Sequence, residues 1–83
     1  SLYYIVEYTG KYNSPYTKMD CNAIINKLTN VYGTNTGEKV VQVLNKGQKI
    51  ELIKTMPTWS VIRCGIDKDT YRVGLVKSKD IEV

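Results

Sequence analysis

The sequence predicts a mainly β domain, built as a small antiparallel barrel. Three observations predict it. Four short apolar-rich runs fill the second half, from "GEKVVQVLNKGQKIELIKTMPTWSVIRC" to "YRVGLVKSKDIEV". Gly-, Pro- or Asp-bearing turns separate them, the rhythm of hairpin-built folds. The aromatics are seven tyrosines and one tryptophan with no phenylalanine, a choice that keeps a polar tip near the rim of a small core.

Each element follows in order. Leu2 to Tyr8 ("LYYIVEY") is β-branched and aromatic and reads as a strand. "TGKYNSPYT" is a loop, carrying Tyr12 and Tyr16. Residues 18–29 read two ways. Thr17 with Asp20 resembles a capping box, and Ile24, Leu28 and Val31 recur at helical spacing, which gives a short helix near 18–28. The alternative is a strand over Cys21–Asn26, and the residues leave both open. "NVYGTNTGEK" reads as a long polar loop.

Val40–Leu44 is a strand. Asn45, Lys46 and Gly47 turn the chain, with Gly47 able to supply a positive φ. Lys49–Ile53 alternates polar and apolar, the pattern of a half-buried strand. Pro57 keeps "KTMPT" out of a central ladder. Trp59–Cys64 and Tyr71–Val76 form a hairpin closed by "GIDKDT". "KSKD" is a tight 3₁₀-like turn, and Ile81–Val83 ends the sheet. Gly74 admits close backbone approach at a bend. Strand parity assigns Val41, Val43, Ile50, Leu52, Ile62 and Val76 to the core.

At 83 residues the chain holds one domain, 1–83, with a single modest core. Its 42% apolar content suits a globule and argues against disorder. No run of about 18 apolar residues exists to span a membrane. The start "SLYYIVEY" lacks the basic opening and long apolar stretch of a signal peptide, and its Ser start suggests a processed or trimmed chain.

Net charge is +4, from ten lysines and two arginines against eight acids. That mild excess reads first as a solvated surface and second as attraction to an anionic partner such as nucleic acid, lipid or cell-wall polymer. The lysines are scattered and arginine is scarce, which disfavours nucleic acid. Cys21 and Cys64 form one disulfide if the protein is exported, or stay small hydrophobes in a reducing compartment. With no histidine, the commonest base and metal ligand is missing, and two isolated cysteines make no zinc site. Asp67 and Asp69 lie in a turn, where Asp serves turn geometry; their spacing is incomplete for a calcium loop. No cofactor and no catalytic residue are expected.

The second half resembles the bacterial Src-homology-3 (SH3-like) domain family. The matching pieces are Leu28-Thr29-Asn30-Val31-Tyr32-Gly33, "EKVVQVLNKGQKIELI", Trp59-Ser60-Val61-Ile62, and "GLVKSKDI" from Gly74 to Ile81. Together they cover about residues 28–83, which become the barrel, with 1–27 an N-terminal extension packed on it. The resemblance favours the strand over Cys21–Asn26. Two departures fall where the family often borders its groove. "YGTNTG" lacks the usual arginine and proline, and Leu75 stands in place of an aromatic.

The resemblance implies a non-catalytic binding module of a larger bacterial or phage protein, secreted or attached to the cell wall. Its ligand would be a peptidoglycan peptide or glycan. The alternatives are a protein-interaction domain using a sheet edge or loop groove and, third, a nucleic-acid-binding barrel. Tyr12, Tyr16, Tyr32, Trp59 and Tyr71 fall in loops or at strand starts and are the candidates for an aromatic groove. Each is equally suited to plugging a barrel end.

Overall fold

The computed structural model describes residues 6–12 and 19–83. Their strands are β1 (Tyr8–Lys11), β2 (Ala23–Ile25), β3 (Thr29–Tyr32), β4 (Val40–Leu44), β5 (Lys49–Thr55), β6 (Trp59–Gly65), β7 (Thr70–Lys77) and β8 (Ile81–Glu82). A 3₁₀ turn, Ser78–Asp80, joins β7 to β8. Pairing is antiparallel throughout, in the order β4-β3-β7-β6-β5-β2-β8. The described pairings do not join β4 to β8, so the small sheet is not closed.

Strand β7 holds the layout together. One of its edges runs along β6 over seven residue pairs, Trp59↔Lys77 to Gly65↔Tyr71. Its other edge is shared. Thr70 to Val73 pair with β1, and Leu75 pairs with Tyr32 of β3. Gly74 sits between these partners because a Cβ there would lie 2.6 Å from Val31 Cγ1 and 3.1 Å from the Tyr32 carbonyl oxygen. The close approach expected at Gly74 is thus present.

The sheet curls around a core of Ala23, Ile25, Val31, Leu44, Ile50, Ile62, Cys64 and Val76. Each large aliphatic side chain removed from water contributes roughly 1.5–3 kcal/mol. The N-terminal segment is tied on by Val6 N–H donating to Gly33 O and by Arg72, whose Nη1 lies 2.8 Å from Glu7 Oε2. Arg72 Nε also donates to Gln42 Oε1 at 3.0 Å, and Gln42 Nε2 to the Gly65 carbonyl.

Several expectations need correction. Of the strand expected over Leu2–Tyr8, Val6 and Glu7 are not in a strand and Tyr8 opens β1. Residues 1–5 lie outside the described residues, and the ladder runs through Thr9, Gly10 and Lys11, read above as loop. Gly10 belongs there because a Cβ would collide with the Tyr71 ring, which lies across it. Of the two readings of residues 18–29, the strand within Cys21–Asn26 is the one observed, as Ala23–Ile25, and the helix is not: Ala23 and Ile25 are buried, while Ile24 and Leu28, on the supposed helical face, are exposed. Thr29–Tyr32, assigned to a polar loop or its start, is strand β3, with Thr29 and Val31 buried and Asn30 and Tyr32 half-buried.

Core parity fails in β4. Val31 pairs with Gln42 but Tyr32 pairs with Val40, so Val41 is an extra bulged residue. Beyond the bulge Leu44 turns inward at 0% exposure and Val43 outward at 54%. A second irregularity at Ile53 leaves it exposed beside half-buried Leu52. Ile50, Ile62 and Val76 are core as expected, and Val41 and Leu52 pack against it. Gly47 has φ +88°, as its turn requires.

Candidate binding groove

Alternation along β6 sorts its side chains between two faces. Ser60, Ile62 and Cys64 are buried on the core side, and Trp59, Val61 and Arg63 occupy the opposite face. Directly paired residues share a face, so Lys77, Leu75, Val73 and Tyr71 of β7 join them. Tyr32 arrives there through its pairing with Leu75. Val73 and Leu75 are fully buried, at 2% and 0%, yet lie outside the core cluster. Leu75 therefore supports this face from below and does not line a groove.

Four of the five aromatic candidates gather here as two pairs. Tyr32 and Trp59 meet edge to face, with centroids 5.2 Å apart and planes at 81°. Tyr12 and Tyr71 meet at 5.2 Å, tilted by 51°. The pairs sit at opposite ends of the β6–β7 hairpin, separated by six residues, or about 20 Å of strand. They do not form one groove. Tyr16 lies outside the described residues.

The Tyr12–Tyr71 end is closed. The Arg63 guanidinium packs 4.9 Å from the Tyr71 ring centre and donates from Nε to Glu51 Oε1 at 2.6 Å. Burial opposes its charge, but the Glu51 carboxylate holds its pKa above the ordinary value. Burial likewise pushes the Tyr12 phenol upward, against the pull of the Arg63 charge. The Tyr12 hydroxyl is buried with no hydrogen-bond partner. Asp67, in the hairpin turn, accepts hydrogen bonds from the Asp69 and Thr70 amides at 2.8 and 2.9 Å. The turn reading of this carboxylate holds. Hydrogen bonding to Thr70 and Asp69 lowers its pKa.

The Tyr32–Trp59 end is open. Lys77 Nζ lies 5.1 Å over the Trp59 ring. A groove of about 500 Å³ lies at β3, β4, the end of β7 and the 3₁₀ turn, lined by Leu28, Asn30, Tyr32 and Val43 together with Lys27, Lys77 and Lys79. An adjoining hollow of about 290 Å³ shares both lysines and ends at Pro57 and Thr58. Hydrogen bonds fix these parts. Ser78 N–H donates to Thr58 O, and the Ser78 hydroxyl donates to Met56 O at 2.6 Å. With its one proton so used, Ser78 accepts from Ser60, also at 2.6 Å. Asp80 is nearly buried and accepts from the Thr29 hydroxyl at 2.8 Å, with Lys27 Nζ 3.7 Å away.

Sequence reasoning missed Leu28, Val43, Lys77 and Lys79. The two lysines are scattered among ten, and only their position flanking the "KSKD" turn sets them apart. Cys21 and Cys64 are free thiols, the first exposed and the second buried. Burial pushes the Cys64 pKa up to about 11. The small-hydrophobe reading thus suits Cys64 but not Cys21, which borders a separate hollow of about 300 Å³ beside Ile24 and Val83. The described residues contain no cluster of three or more acids or cysteines that would hold a metal ion, and no helix long and apolar enough to cross a membrane. Comparison with protein-family models, with curated proteins and with solved structures returns no match.

Proposed function

We propose that the chain is an SH3-like, non-catalytic binding module that tethers a larger bacterial or phage protein to the cell wall through the open groove. The observation that carries this reading is that Tyr32 and Lys77, which both pack on Trp59, line a solvent-open groove of about 500 Å³. Aromatic faces grip sugar rings and apolar side chains, and the cations favour an anionic polymer. Strand order, the Gly74 approach and the Ser78–Asp80 turn support the family likeness. The module acts outside the cell or at its wall, and takes a peptide or glycan of peptidoglycan.

Sedimentation with purified cell-wall sacculi tests it. The chain should pellet with the sacculi at both about 50 and about 150 mM salt. Trp59→Ala should lower the bound fraction at least tenfold while the β-sheet circular-dichroism signal persists. A native chain left in the supernatant at both salt concentrations overturns the reading.

One observation favours a second reading, a protein-interaction domain. Among the described residues β4 ends the sheet, with Val40 and Val43 about half exposed, an edge suited to strand addition. Val43→Lys would abolish such pairing. An unchanged sedimentation coefficient and unchanged partner capture in that variant count against it.

A further inference from the structure

The open groove is lined by two unlike kinds of side chain. Leu28 and Val43, at 66% and 54% exposure, and Tyr32 line it on β3, β4 and the residue before β3, with Asn30 among them donating to the Tyr32 hydroxyl. Three lysines share the lining: Lys27, paired with Asp80, and Lys77 and Lys79, neither of which has an ion-pair partner among the described residues. The groove's own carboxylate does not serve them. Asp80 is 4% exposed and committed to Thr29 and Lys27. The pairs seen elsewhere leave no other cation so placed beside an aromatic: Arg63 is closed by Glu51, Arg72 by Glu7.

We infer that the groove selects an extended peptide carrying free carboxylates next to small apolar side chains, with the carboxylates on Lys77 and Lys79 and the apolar groups against Leu28 and Val43. The exposed Leu28 and Val43 separate this ligand from a phosphodiester polymer, which has charge but no side chains to bury. It also separates it from a neutral glycan, which leaves the two lysines unpaired. Charge complementarity across an exposed groove acts mainly on selection and rate of capture, and weakens with salt.

This inference rests on the wall-binding reading, and one experiment separates the two. Sacculi stripped of phosphodiester polymers with hydrofluoric acid are used as such, or after carbodiimide coupling of their carboxylates to ethanolamine. Binding to the untreated carboxylate form should exceed binding to the amidated form at least tenfold. Lys77→Ala/Lys79→Ala should lose the same factor on the carboxylate form. Lys46→Ala/Lys68→Ala, which removes equal charge from two exposed turns, should lose less than twofold. Equal binding to the two forms, or equal losses in the two double variants, overturns the inference and leaves wall binding standing. Absence of binding to both stripped forms, with binding to unstripped sacculi, assigns the ligand to the phosphodiester polymer and also overturns it. Absence from all three refutes the wall reading and the inference together.

Discussion

The two ends of the β6–β7 hairpin use the same materials on the same face to opposite effect. Each has an aromatic pair at 5.2 Å with a cation about 5 Å from a ring. At the Tyr12–Tyr71 end the cation is Arg63, answered by Glu51, over a Tyr71 ring that lies across Gly10. At the Tyr32–Trp59 end it is Lys77, with no acid paired to it among the described residues and a groove beside it. An aromatic–cation pair is thus no evidence of a site by itself. The presence or absence of the neutralising carboxylate, and of open space, separates a plug from a binding surface.

The largest effect is expected between the ends, where both depend on one scaffold. Gly74→Ala drives a methyl into Val31 and the Tyr32 carbonyl, and overpacking of this kind costs about 1–3 kcal/mol. Urea denaturation should show the loss, and wall binding should fall with it, because Tyr32 is displaced. A variant as stable as the parent would mean that the β3–β7 approach does not position the groove.

Next comes the closed end. Arg63→Ala leaves the half-buried Glu51 carboxylate without its partner, at a cost of about 1–3 kcal/mol. The midpoint of urea unfolding should drop while binding to sacculi stays within twofold. A tenfold loss of binding with unchanged stability would invert the assignment of the two ends. Trp59→Ala should do the reverse: a tenfold loss of binding, which is about 1.4 kcal/mol, with a smaller change in stability because Trp59 is only half-buried.

How much of this was legible in the sequence depends on which force decided each residue. Alternation in "KIELI" and "WSVIRC" reports burial on one face, and those strands and the cores at Ile50 and Ile62 were readable. Gly47 and Gly74 announce backbone geometry that other residues resist. Strand β3 was hidden because "TNVY" buries only two short side chains and leaves polar atoms on its other face. Val43 and Leu44 were exchanged because a single bulged residue, Val41, flips parity without any local sign. The aromatics were found but not their grouping, since pairing register, not sequence distance, sets Tyr12 on Tyr71 and Tyr32 on Trp59. The groove lysines were invisible because no charge run marks them; their meaning comes from the acids they lack.

The buried thiol behind the closed end adds a pH dependence. Cys64 is held neutral by burial, its pKa raised from 9.0 to about 11. Its contribution to stability is complete below the unfolded pKa and is lost as pH rises toward about 11, since the unfolded chain releases that proton first. Urea midpoints should decline across this window, and Cys64→Ala should flatten the decline relative to its own value at pH 7. A parallel decline in the variant would assign it to other groups, Tyr12 among them.

The smallest effect belongs to the turn that closes the plugged end. Asp67 accepts two backbone amides but is fully solvent-exposed, so its hydrogen bonds compete with water. Its lowered pKa means that its contribution is present above the ordinary carboxylate range and is lost as pH falls through the lower folded value. Asp67→Asn keeps an acceptor without the charge and should lose only this acid-side dependence. Asp67→Ala removes the acceptor and should raise amide exchange at Asp69 and Thr70 selectively. The 3₁₀ turn at the opposite end is held differently, by Asp80, buried and bonded to Thr29. If Asp67→Ala instead altered exchange around Lys77 and Lys79, the ends would be coupled through β7, and the division between plug and groove would fail.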